Sequence, residues 1–348
     1  MSRKRSKSRL GLILFLLCLA GGIYFVYNRY ILNKARLKDR DYVFIYIGRH
    51  DKYEDLISQI DSEHVVEDIE AFDWLARQMK LNEELKPGRY RVLNGMNARQ
   101  IINLIRYHKE EKVKLSFNAQ IHNLDEFVEY CDSKLELSTD ELEDWLSDEK
   151  KLRDWFGLDP ENALALVVPG VYDLSWSADA EELFSMLKTN FDKVWNDSRK
   201  KRARKLGYTI PEIATMASIV QCESSIASEQ AKIAGVYFNR LEDGMLLQAD
   251  PTLKFANKNY DAQRLLDEDK EMDSPYNTYK YKGLPPGPIA LVSTQAIDAT
   301  LNYTRHNYLF FCAKPGLNGY SDFSVNYEQH RKFAAAYQKA LDERGINR

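Results

Sequence analysis

Residues 209–223 read TIPEIATMASIVQCE, residues 224–252 continue SSIASEQAKIAGVYFNRLEDGMLLQADPT, and residues 274–290 read SPYNTYKYKGLPPGPIA. Thr209 and Glu212 stand at the Thr-x-x-Glu spacing of a capping box, each side chain serving a free backbone N–H at a helix start. Pro211 suits that first turn, where its missing N–H has no partner to lose. Ile213, Met216 and Val220 recur at helical spacing, which predicts one apolar stripe facing a core. Glu223 continues that stripe, whereas Gln221 points elsewhere. A carboxylate on an apolar stripe is costly to ionise unless paired, and the helix C-terminus disfavours negative charge as well. Both effects raise its pKa, which suits a general acid at neutral pH. The plainer reading is a helix-end glutamate paired with Lys232 or Arg240.

The wording of ASIVQCE (217–223), SEQAKIAGVYFNRLEDGMLLQADPT (228–252) and YNTYKYKGLPPGPIA (276–290) resembles the MltG (YceG-like) family of endolytic murein transglycosylases. The likeness covers most of the chain after residue 40 and is densest from Ala217 to Ile289. Members read ASIVEKE here, and the second glutamate of that pattern falls on Glu223. The first falls on Gln221, a departure that leaves Glu223 as the indispensable acid. Gln230 is a second departure: the family places arginine after the glutamate matched by Glu229, so no fixed ion pair between those neighbours is expected.

By this resemblance the fold is α+β: an N-terminal transmembrane helix, a small LysM-like α+β subdomain and a mixed α+β YceG-like catalytic domain. The implied substrate is peptidoglycan, and the implied reaction is endolytic cleavage of the MurNAc-β-1,4-GlcNAc bond leaving a 1,6-anhydro end. Glu223 serves as general acid and base, no cofactor is needed, and peptidoglycan synthases are the protein partners to expect. Two rivals stand beside this. One is a hydrolytic muramidase with Asp250 or Glu229 as second carboxylate; the other is a non-catalytic, membrane-tethered glycan-binding scaffold, which Gln221 favours.

Composition sets outer limits. The 348 residues suffice for two or three domains, and 44% hydrophobic with 29% charged residues is the balance of a folded protein. A net charge of −3 carries no nucleic-acid footprint. The four cysteines, Cys18, Cys131, Cys222 and Cys312, form no C-x-x-C pair, and the six histidines make no H-E-x-x-H group, so no metal is expected. Cys131 and Cys312 are the pair an oxidising compartment would offer for a disulfide, a point that spacing leaves open.

From the N-terminus, residues 1–9 form a basic cytoplasmic tail and residues 10–28 an uncharged apolar run of bilayer length. Arg3, Lys4, Arg5, Lys7 and Arg9 favour a cytoplasmic N-terminus, although Arg29, Lys34, Arg36, Lys38 and Arg40 crowd the other end. No small-x-small cleavage site follows, which favours a single-pass anchor over a signal peptide. With the resemblance, this implies an inner-membrane protein whose catalytic domain lies on the extracytoplasmic side. Residues 29–40 read as a linker. Residues 41–113 read as a small α+β module, with strands at YVFIYI (42–47) and GRYRVL (88–93) and helices at 67–80 and 97–105. The family resemblance implies that this module is LysM-like, a glycan binder or a structural spacer. Residues 114–205 form a connecting region, in which Ser138 or Thr139 caps a helix and SRKKRARK (198–205) is a basic helix face, solvated or meeting an anionic polymer or lipid head groups.

The catalytic part takes up residues 206–348. Ser228 is expected to cap a helix over 229–242 that stops at Gly244. A sugar polymer needs polar groups for its hydroxyls and acetamido carbonyls and flat rings against its C–H faces. Asn239, Arg240, Gln248, Asp250, Tyr276, Asn277 and Tyr279 offer those types. LPPGP (284–288) reads as a stiff cleft wall. YLFFCA (308–313) is a buried-strand candidate, and FSVNYEQHRKF (323–333) resembles the family's closing motif, adding Ser324 and His330 to the expected site.

Overall fold

The computed structural model describes residues 2–31, 33–118, 120–260, 262, 265 and 268–344. The side chains of residues 2–11, and with them the basic groups expected of the tail, lie outside that description, as does Leu32 of the expected linker. The chain divides into two compact units. The first comprises residues 1–114, 134–136 and 173–179, and the second comprises 115–133, 137–172 and 180–348.

The first unit begins with helix α1 (Ser2–Val26), which runs into a π-helical turn at 27–31. The span Leu12–Ile31 has mean hydropathy 1.7 and is long and apolar enough to cross a bilayer, and its apolar window is not buried within the protein. Its far end is tied down. Arg29 Nε donates to Asp68 at 2.9 Å and Tyr30 packs on Trp74 with ring centroids 4.7 Å apart.

Strand β1 (Tyr42–Ile47) pairs antiparallel with β2 (Gly88–Leu93), Tyr42 opposite Leu93 and Ile47 opposite Gly88. Alternation puts Val43, Ile45, Ile47, Tyr90 and Val92 on the inner face. Helices α2 (Tyr53–Ser62), α3 (Ile69–Gln78) and α4 (Ala98–Arg106) cover it with Leu56, Ile60, Phe72, Ile101 and Ile105. Asp68 caps α3, and a reciprocal Asn97–Gln100 box starts α4. On the outer face, Arg91 and Arg89 lie 4.0 and 4.4 Å over the rings of Tyr42 and Phe44.

Strands β3 (Val113–Phe117) and β4 (Gly170–Leu174) form a second two-stranded sheet. The second unit is mostly helical. Helices α5 (Leu124–Asp132), α6 (Thr139–Ser147), α7 (Glu149–Phe156), α8 (Ala180–Val194) and α9 (Asp197–Leu206) precede the stretch quoted at the outset. Ser138, not Thr139, caps α6. Helix α10 (Ile210–Glu223) opens with the Thr209–Glu212 box and Pro211 in its first turn. After it come α11 (Ala227–Glu242), α12 (Asp250–Ala256), α13 (Thr294–Leu301), a β5–β6 hairpin (Phe310–Ala313, Ser321–Ser324) and α14 (Tyr327–Glu343).

Three expectations change. Helix α10 is buried all round rather than along one stripe: every residue from Ile213 to Val220 is inside, because α11, α12, α13 and the turn at 160–166 each pack on it. Its buried serine hydroxyl remains satisfied, Ser218 Oγ donating to the Thr215 carbonyl at 2.7 Å and accepting from Ile289 N at 3.1 Å. Helix α11 starts at Ala227, one residue before the Ser228 expected to cap it. The strand expected over 308–313 covers only Phe310–Ala313 and is half-exposed, since its sheet has two strands and β6 covers one edge. Cys131 and Cys312 are free thiols.

Candidate active site

Glu223 is the last residue of α10, where the chain turns away through Ser224. That position lets its side chain leave the packed helix and enter a cleft of ≈ 350 Å³ in the second unit. Tyr237 reaches it from α11, its hydroxyl donating to Glu223 Oε1 at 2.7 Å. Burial is the main influence on the acid and raises its pKa from 4.5 to about 7. Asp250 pushes the same way, while the Tyr237 hydrogen bond, Lys254 and Arg240 pull against it. Neither partner of the plainer reading pairs with Glu223. Lys232 holds the buried Glu229 at 3.0 Å, and Arg240 is engaged elsewhere.

Of the residues expected from sequence, Arg240, Gln248, Asp250, Tyr279 and His330 line this cleft beside Glu223. Arg240 does so while anchored to backbone carbonyls on both sides. Its Nε donates to the Leu309 carbonyl and its Nη1 to that of Leu247, both at 2.7 Å, and its guanidinium sits 5.1 Å over the Phe310 ring. It therefore fixes the two segments that form the walls while keeping a positive charge near the acid. Gln248 is exposed with φ +52° and receives a long contact from Arg240. Asp250 accepts the Tyr279 hydroxyl.

Asn239, Tyr276, Asn277 and Ser324 stand outside the lining and act as supports. Asn239 Nδ2 donates to the carbonyls of His306 and Tyr308 at 2.8 and 2.9 Å, binding α11 to the lead-in of β5. Asn277 is fully buried. It donates to Lys270 and Met272 carbonyls and accepts from Tyr279 N, which shapes the turn presenting Tyr279. Thr278 clamps that turn to the start of α12, accepting from Ala249 N at 3.0 Å. Tyr276 packs on Phe255 with centroids 4.6 Å apart. Ser324 is buried, and neither its Oγ nor His330 Nδ1 has a partner among the described residues. The His330 ring lies nearly parallel to Phe310, and burial, with Arg240 nearby, pushes its pKa below the usual histidine value. It presents a neutral ring to the cleft.

Sequence reasoning missed Tyr237, Phe310, Phe311 and Tyr327 as lining groups. A tyrosine inside the apolar run GVYF carried a signal, because a buried phenol seeks a partner. LPPGP does not reach the described lining. Gly287 is pressed against the Glu161 backbone so closely that a Cβ would come within 2.1 Å of its carbonyl oxygen, and the segment braces the 160–166 turn. The two departures from the family wording are structural. Gln221 donates to the Leu291 carbonyl at 2.8 Å and accepts from Ser293 N at 2.9 Å. Gln230 donates to the Ser224 carbonyl at 2.7 Å, closing the turn just after the acid. Glu229 accepts from Ser321 N at 2.8 Å, away from the cleft lining.

Comparison with known proteins adds to this geometry. The chain is 36% identical over 148 residues to an endolytic murein transglycosylase of Bacillus subtilis, covering 42% of this chain and 40% of that protein. It is 31% identical over 173 residues to one of Streptococcus pneumoniae, covering 49% of this chain and 31% of the relative. The chain thus spans less than half the length of these relatives. Among solved structures, a YceG-like protein of Listeria monocytogenes shares the fold with a TM-score of 0.57 at 24% identity, over 84% of this chain and 98% of that one. Residues 45–336 match the YceG-like family, and the chain belongs to that family.

Proposed function

We propose that this protein is a membrane-anchored endolytic transglycosylase that cleaves the MurNAc-β-1,4-GlcNAc bond of peptidoglycan strands. The observation that carries the reading is Glu223, a carboxyl group whose pKa burial raises to about 7, so that a large share stays protonated at neutral pH, in a cleft lined by Tyr237, Tyr279, Tyr327, Phe310 and Phe311. Glu223 donates its proton to the glycosidic oxygen as the bond to the muramic C1 breaks and that carbon gains oxocarbenium character. The carboxylate then removes the proton from the muramic C6 hydroxyl, whose oxygen bonds to C1. The acid is restored, a 1,6-anhydro end is left, and no water is consumed. An oxygen already tethered at the right distance is a far better nucleophile than its bulk concentration suggests. The Tyr237 hydrogen bond occupies Oε1, which leaves Oε2 to carry the proton.

Hydrolysis is the second reading, favoured by Asp250 standing in the same cleft. Glu229 is a poor second carboxylate, since Lys232 and Ser321 N already hold it. The test is digestion of purified murein with the native chain and with Glu223→Gln, followed by mass spectrometry. Anhydro ends from the native chain and none from the variant are expected. Reducing ends would replace transglycosylation by hydrolysis, full activity of the variant would remove Glu223 as the acid, and no cleavage by the native chain would leave only a binding scaffold. The β1–α2–α3–β2 arrangement we read as LysM-like, and α1 as a single-pass anchor with a cytoplasmic N-terminus.

A further inference from the structure

The basic run SRKKRARK becomes one wall of a second cavity. Ser198, Lys201, Arg202 and Lys205 recur at i, i+3, i+4 and i+7, so they share one face of α9. Opposite them lie Asn302, Tyr303 and Arg305, just past α13, and together they enclose ≈ 410 Å³. Four cations line this space and no carboxylate does. That is unusual for this molecule, whose net charge is −3 and whose exposed cations are commonly paired, as in Lys150–Asp154, Lys188–Asp192 and Lys332–Glu328. On α9 itself, Arg199 is held bidentate by Asp298 at 2.7 and 2.8 Å and turns away from the set. Arg202 is positioned by its Nε, which donates to the Leu301 carbonyl at 3.1 Å and caps the end of α13. Among the described residues, Lys201, Lys205 and Arg305 have no ion-pair partner.

A solvated basic helix face needs no concavity, and nothing there obliges a second segment to add another arginine. Like charges gathered around one small space repel each other unless an anion joins them. A carboxylate brings a single charge, whereas a phosphate brings up to two and matches both the guanidinium fork and the ammonium donors. The Ser198 and Tyr303 hydroxyls and the Asn302 amide add neutral donor types.

We propose that the cavity between α9 and residues 301–305 is a phosphate-binding site, independent of the Glu223 cleft. The phosphate can come from a soluble phosphate or diphosphate ester or from a lipid head group.

The test uses the full chain in neutral detergent at low ionic strength, with inorganic pyrophosphate as the probe in calorimetric titrations. Native protein is expected to bind one pyrophosphate saturably. Lys201→Gln/Lys205→Gln/Arg305→Gln should weaken it about tenfold or more, since charge-assisted bonds to phosphate are the strong ones. Arg305→Gln alone, a mild change at an exposed position, should weaken it about threefold, so the outcome does not hang on the triple variant's fold. A control removing the same charge elsewhere, Lys150→Gln/Lys332→Gln/Lys339→Gln, should stay within about twofold. Absence of saturable binding, or equal losses in the two triple variants, would overturn the proposal. The same titration in bilayers of phosphatidylcholine with and without phosphatidylglycerol identifies the source. Competition by the anionic lipid assigns the site to a head group, and unchanged affinity assigns it to a soluble ester.

Discussion

At the scale of single residues, Glu223 ties stability to pH in the direction opposite to an ordinary salt-bridged carboxylate. Its folded pKa of about 7 lies above the ordinary 4.5, so between these values the folded state holds more protons than the unfolded one. Its contribution to stability is therefore full below pH 4.5 and is lost as pH rises through 7. Glu223→Gln keeps an acceptor for Tyr237 but has no proton to lose. Thermal melts are expected to show the variant gaining on the native chain from pH 5 to pH 8, and a constant difference would show that the acid is not buried as described. Tyr237→Phe moves activity instead. It removes the hydrogen bond that favours the carboxylate, so the acid stays protonated to higher pH and the basic limb of the rate profile shifts upward. Initial rates of murein solubilisation from pH 5 to 9 measure this; a lower rate with an unmoved limb would reduce Tyr237 to packing.

Elements obey their local signals at the ends and their neighbours in the middle. The Thr209–Glu212 box forms as its spacing demands, and Thr209→Ala is expected to lower stability by about 1 kcal/mol in a denaturant titration. Gly235 shows the other influence. An alanine in a helix interior normally adds roughly 0.5–1 kcal/mol over glycine. Here a Cβ would stand 2.4 Å from the Thr304 carbonyl oxygen and 2.8 Å from His306 Nε2. Backbone cannot yield as a flexible side chain does, so Gly235→Ala should be destabilising, visible as a lowered melting temperature. Activity should fall with it, because His306 and Tyr308 lead into the strand that carries Phe310 and Phe311 to the cleft. An unchanged or raised melting temperature would contradict that packing.

For the whole molecule, α1 is the one long apolar helix among the described residues, and it finds no cover within the protein. The full chain is expected to stay in the membrane pellet through high-salt and alkaline washes and to be released by detergent. Release by salt alone would contradict a spanning helix.

Much of this was legible in order along the chain. The capping box at 209–212, the 42–47 and 88–93 strands, the apolar run and the acid at the end of α10 are written in spacings of a few residues, where neighbours in sequence are neighbours in space. What tertiary structure alone decided is which polar groups face the cleft. Asn239 and Arg240 are adjacent in sequence, yet one ties down β5's lead-in while the other also lines the site. Tyr237 finds its acid only because α10 and α11 pack side by side. A side chain's direction in a crowded interior is set by segments far away along the chain, and no local periodicity carries that information.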